Sequence, residues 1–129
     1  MDKTTEKMTT ICPLRLTMDI IGGKWKLSII CLLNDGEPMR YNQIKRGIPG
    51  ITNVMLSQSL KSFEEYGIVH REQYNEVPVR VEYKLAPNGF ELLSALNLLN
   101  EWGNKYISGR NDFISHCPTC LLNENSTGN

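Results

Sequence analysis

The 129-residue chain has no excess of either charge: 14 Lys and Arg stand against 14 Asp and Glu, a formal net charge of zero. That argues against a nucleic-acid partner held by bulk electrostatics, because DNA-binding domains ordinarily carry a basic excess. No apolar run approaches the roughly 20 residues needed to cross a bilayer, which excludes a transmembrane segment, and no membrane partner is expected. The opening MDKTTEKMTT has no apolar stretch behind it and does not read as a secretory signal, so a cytoplasmic location is expected. Histidine is scarce, with only His70 and His116. A Gly-rich phosphate loop, an HExxH zinc motif and a G-x-S-x-G elbow are all missing, so no enzyme and no cofactor are expected.

What is present reads as one ordinary globular domain, 40% hydrophobic and 22% charged. Charge is unevenly spread. Residues 1–33 carry five Lys/Arg against three Asp/Glu, residues 40–84 seven against five, and residues 85–129 two against four. The organisation expected is a flexible segment over 1–10, a domain over 11–109, and a polar tail over 110–129 ending in NENSTGN.

Pro13 suits the first position of a helix, and Leu14, Met18 and Ile21 follow at helical spacing until Gly22-Gly23. A second helix is predicted from Lys24 to Leu33 with Trp25, Ile29, Leu32 and Leu33 inward, and a short third over Arg40 to Arg46. Gly47, Pro49 and Gly50 break the third sharply. Thr52 or Asn53 can cap the next helix, in which Leu56, Leu60 and Phe63 recur at spacings of four and three before Gly67. The period then changes to two. Val79, Val81, Tyr83 and Leu85 alternate with Arg80, Glu82 and Lys84, a strand whose antiparallel partner is Ile68 to Tyr74, with His70 facing solvent. Pro87 opens a long last helix with Leu92, Leu96 and Leu99 in one stripe, widened by Leu93, Trp102 and Tyr106. That stripe exceeds what one small core uses and asks for a partner.

Two helices across a tight Gly-containing turn, followed by a two-stranded ribbon, make a winged helix-turn-helix, an α+β and mostly helical fold. A helix fits the major groove, and this one is expected to present Thr52, Asn53, Met55, Gln58, Ser59 and Ser62, with Lys61 as a phosphate contact. Arg40 ahead of the turn, and Asn75 and Arg80 near the ribbon tip, complete the candidate DNA-binding set, with Arg71 and Lys84 behind them. Against this stands the plainer possibility that the polar residues form a solvated helix face and the ribbon charges serve solubility.

"CPLRLTMDIIGGKWKLSIICLL", "GEPMRYNQIKRGIPGITNVMLSQSLKSFEEYGIVHRE" and "VPVRVEYKLAPNGFELLSALNLLNEW" together resemble the HxlR type of DNA-binding domain, related to the MarR superfamily, over about residues 11–107. Two positions depart from that type: Ala86 stands where Thr is usual, removing a helix cap worth roughly 1 kcal/mol, and Tyr41 replaces Phe, so its hydroxyl needs a partner. The resemblance implies homodimers paired through the first and last helices, with Leu14, Leu93, Leu96, Leu99, Trp102 and Tyr106 at the interface. It also implies that double-stranded operator DNA is bound at two half-sites of an inverted repeat.

Cys12, just before Pro13, sits at the expected helix N-cap, where free amides and the helix dipole favour a thiolate. Members of the resembling group sense oxidants or electrophiles at this position, which makes Cys12 a candidate sensor and an oxidant or small molecule a candidate effector. The alternative is a small apolar residue filling an interface gap. Cys31 is expected to be a buried core thiol. His116, Cys117 and Cys120 form an H-C-x2-C cluster with three of the four ligands a structural zinc wants; metal binding, redox pairing and no role at all stay open. Two rival functions follow: a winged-helix protein-interaction module without DNA binding, and a thiol redox protein using Cys117 and Cys120.

Overall fold

In a computed structural model, residues 10–109 are described. Helix α1 (Pro13–Ile21) begins with Pro13 at its first position and Cys12 as an extended N-cap whose carbonyl accepts from the Leu16 N–H at 3.0 Å. It ends where the Gly22 N–H reaches the Met18 carbonyl at 2.7 Å. Helix α2 (Lys26–Leu32) starts two residues later than expected, after Trp25, and buries Ile29, Ile30 and Cys31. Cys31 is thus a core residue, as its apolar neighbours suggest.

Between α2 and α3 (Tyr41–Gly47) lies a strand that periodicity does not reveal, β1 (Met39–Arg40). Two residues are too few to display alternation. Arg40 is therefore the end of β1 and the N-cap of α3, where its backbone N–H donates to Gln43 Oε1 at 2.8 Å. The turn after α3 is closed by the Ile51 N–H on the Ile48 carbonyl at 3.2 Å, with both isoleucines buried. Gly50 has φ +93°, and a Cβ there would lie 3.2 Å from the Trp25 ring, so backbone conformation and crowding both call for glycine. Helix α4 (Asn53–Glu65) follows directly.

Strands β2 (Val69–Tyr74) and β3 (Arg80–Leu85) pair antiparallel with Val69 opposite Leu85 and Tyr74 opposite Arg80. Strand β1 adds to the other edge of β3, Met39 opposite Tyr83, so the ribbon is the major part of a three-stranded sheet in the order β1-β3-β2. Val79, expected on the buried face, precedes the strand and is exposed. Helix α5 (Pro87–Ile107) is stitched to the end of α4 and the start of β2: the Ala86 N–H and the Asn88 side chain donate to the carbonyls of Ile68 (2.9 Å) and Tyr66 (3.1 Å). Ala86 caps α5 with no side-chain bond, as its methyl group requires.

The core joins α2, α3, the turn and α4 through Ile29, Ile30, Leu33, Ile44, Ile48, Leu56, Leu60 and Phe63, all at 2% exposure or less. Each such side chain contributes about 1.5–3 kcal/mol on burial, which makes this cluster the rigid base of the turn and α4. Helix α1 gives it only Ile21 in full and Ile20 in part. The described residues are α+β: five helices and a small antiparallel sheet. Among the described residues no helix is long and apolar enough to cross a membrane.

Candidate nucleic-acid interface

Helix α4 turns 100° per residue, so Leu56, Ser59, Leu60 and Phe63, at i, i+3, i+4 and i+7, form one inward stripe. All four are buried. Ser59 is thereby corrected: it is 1% exposed and cannot reach a groove. Its hydroxyl makes a polar reading of the sequence treat it as outward, whereas its place in the repeat puts it inside. The face opposite carries Val54, Gln58 and Lys61, with Ser57 and Met55 on its two flanks, and all five are exposed. Val54 and Ser57 escape a reading that selects polar side chains one by one; counting the helical repeat from Phe63 finds both. Ser62 is half-buried beside Phe63.

Thr52 is the N-cap, its Oγ1 accepting from the Met55 N–H at 3.1 Å, so the start of α4 is fixed by its own side chain. Tyr41 then ties α3 to this tip. Its hydroxyl lies 3.1 Å from both the backbone oxygen and Oδ1 of Asn53 and 3.0 Å from Ser57 Oγ. A phenol has one proton, so it serves one of these acceptors at a time and accepts from Ser57 otherwise. The partner demanded by the extra hydroxyl of Tyr41 is thus found on α4.

The ribbon tip places Asn75, Glu76 and Val77 in solvent, and Arg80 is half-buried. The Arg80 guanidinium stacks on Tyr74, 3.9 Å from the ring centroid, and donates to Glu76 at 2.7 and 3.2 Å and to Glu82. Hydrogen bonds from Arg80 hold the Glu76 carboxyl below the usual carboxylate range, and the same bonds raise Arg80 further above its ordinary value. Arg80 is therefore occupied by its own chain. Lys61 and Arg71 differ, having no ion pair among the described residues; Arg71 donates only to Gln73 Oε1 at 3.3 Å. His70 is exposed and bonds Glu72 at 2.8 Å.

Away from this face, Cys12 is exposed at the start of α1, with Ile11, Leu14 and Met18 also exposed. Of the expected interface set, Leu14, Leu99, Trp102 and Tyr106 are 53–68% exposed, and the two aromatic rings stack at 5.9 Å. Leu96 is corrected: at 6% exposure it fills this chain's own core, with Leu93 packed partly against it. The α5 stripe is wide because it has two sides, and Leu98 joins the outer one at 67% exposure. His116, Cys117 and Cys120 lie outside the described residues; within them no group of three His, Cys, Asp or Glu is placed to hold a metal.

Comparison with known proteins places these features. Residues 20–111 match the family model described as HxlR-like helix-turn-helix. An uncharacterized HTH-type transcriptional regulator of Methanothermobacter thermautotrophicus is 43% identical over 108 residues, covering 84% of this chain and 82% of that protein. A transcriptional regulator of the MarR family from Enterococcus faecalis V583 superposes with a TM-score of 0.72 at 38% identity, over 83% of this chain and 98% of that one. The redox regulator HypR in its oxidized form gives a TM-score of 0.65 at 42% identity, over 73% and 96%.

Proposed function

This chain belongs to the HxlR-like helix-turn-helix family of transcriptional regulators, a non-enzymatic class, and from that membership we infer that two copies bind an inverted repeat in operator DNA. In this reading α4 enters the major groove with Asn53, Met55, Gln58 and Lys61, to which Val54 and Ser57 are added. Thr52 and Ser62 border the contact, and Arg40 and Asn75 approach the flanking backbone, while Arg80, bound by Glu76 and Glu82, shapes the ribbon tip. The observation that carries it is the division of α4 into a buried apolar stripe and an exposed, mostly polar face held at its tip by Tyr41. A neutral chain suits this role because binding needs a local basic surface, here Lys61 and Arg71, and not a global excess. The two-fold partner covers Leu14 on α1 and Leu98, Leu99, Trp102 and Tyr106 on α5, setting the two α4 helices about 34 Å apart. The place of work is the cytoplasm, with the chromosome.

Anisotropy titrations with genomic fragments retained by the protein test the DNA reading. With about six phosphates contacted, log affinity falls with log salt at a slope near −5. No duplex affinity even at low salt discards it in favour of a protein-interaction module.

Cys12 is the proposed sensor, supported by its exposed position at the α1 N-cap and by likeness to a redox regulator. Operator affinity before and after a mild oxidant should change in the native chain and stay constant in Cys12→Ser; equal responses in both remove the sensor.

A further inference from the structure

We propose that the cleft between α4 and the β2–β3 ribbon is a seat for one backbone phosphate of the bound duplex. It rests on the DNA-binding reading above, assigns Ser57, Lys61 and Arg71 of that reading to one shared phosphate, and adds Tyr41 behind Ser57. The cleft, about 300 Å³, is lined by Ser57, Lys61 and Glu64 of α4, Arg71 of β2, and the rings of Tyr41 and Tyr83.

Three observations converge on an anion. First, two cations from separate elements border one cleft. Lys61 and Arg71 are both exposed, and neither is neutralised by a carboxylate within 4.0 Å among the described residues. Arg80, by contrast, already has both sides of its fork filled by Glu76 and Glu82. Arg71 spends one donor on Gln73 at 3.3 Å, leaving the remainder of a planar fork suited to a phosphate's paired oxygens.

Second, a hydroxyl pair lines the same cleft. Tyr41 and Ser57 are 3.0 Å apart, and either can be the donor. When Tyr41 turns its proton to Ser57 Oγ, the Ser57 hydroxyl keeps its own for a phosphate oxygen. The Tyr41 hydroxyl thus acts through Ser57 as a positioning group, and a chain of two hydrogen bonds ending on an anion strengthens each.

Third, the position is right for the duplex. Ser57, on the flank of α4 that lines the cleft, stands one turn before Lys61, at the border of the exposed face that carries Gln58. A strand whose bases meet that face has its backbone alongside. Glu64, three residues beyond Lys61 at the far end of the cleft, carries the same sign as DNA. It confines the seat to one phosphate and turns the backbone away from the C-terminal part of α4.

The test uses the full chain and an operator duplex in anisotropy titrations over a range of salt. Arg71→Gln should weaken binding to operator and unrelated duplex alike and make the salt slope shallower by about 1. Glu64→Gln should tighten both. A set of duplexes each carrying one neutral methylphosphonate should include a position that weakens the native chain and leaves Arg71→Gln unaffected. If the native chain binds duplex while Arg71→Gln keeps the full slope and shows no such position, the seat is wrong and the DNA reading stands. If the native chain binds no duplex at all, both fall.

Discussion

At residue 59 a hydroxyl sits where the helical repeat asks for an apolar group. Ser59 Oγ is buried and has no hydrogen-bond partner among the described residues. An orphaned hydroxyl costs free energy, and alanine is the better helix former. Ser59→Ala should therefore stabilise the fold by about 0.5–1 kcal/mol, read as a higher denaturant midpoint, with operator affinity unchanged. A lower midpoint would show that the hydroxyl is bonded after all. Tyr41 presents the opposite case. Its hydroxyl is spent on the tip of α4, so Tyr41→Phe, which keeps the ring, should weaken DNA binding several-fold while costing only about 1 kcal/mol of stability. Equal affinity in the two proteins would mean that Asn53 and Ser57 hold their positions unaided. The need for a partner to this hydroxyl is visible in the sequence; that the partner lies 12 to 16 residues away on another helix is not.

Among the elements, the start of α5 is held most closely. A Cβ on Gly89 would stand 2.3 Å from the Ile68 carbonyl oxygen, which already accepts from the Ala86 N–H. That oxygen cannot retreat without breaking the bond that fastens α5 to the sheet. Gly89→Ala should destabilise by about 1–3 kcal/mol, in spite of the helix propensity it gains, and thermal denaturation measures it. The element sequence itself was largely legible, because Pro13, Thr52, Gly67 and Pro87 mark helix ends by backbone chemistry that acts locally. Strand β1 was not, since its two residues belong to a sheet only through pairing with Tyr83 and Glu82 more than forty positions on. The candidate site divides in the same way. The place of α4 follows from its cap and its repeat, while Val54 is apolar and Ser57 is one hydroxyl among several.

For the molecule as a whole, the proposed pairing of two chains rests on the outer side of α5. Leu98, Leu99, Trp102 and Tyr106 remain at 53–67% and 68% exposure on one subunit, an apolar surface of the sort that associates. Leu99→Asp places a charge in the middle of it. Light scattering should find a particle of 14.7 kDa where the native chain gives twice that mass, with operator affinity falling at least tenfold as the second half-site is lost. Two-chain mass in the variant would mean that another surface makes the pair.

Helix α1 bears the exposed thiol and yet is fastened to the core by little more than Ile21 and part of Ile20. Its amide protons should accordingly trade with deuterium long before those of α4, and binding of a second copy should slow that trade. Under the proposed sensing role of Cys12, a helix held this lightly needs no more than one apolar side chain's worth of energy, about 1.5–3 kcal/mol, to be shifted by a chemical change at its N-terminus.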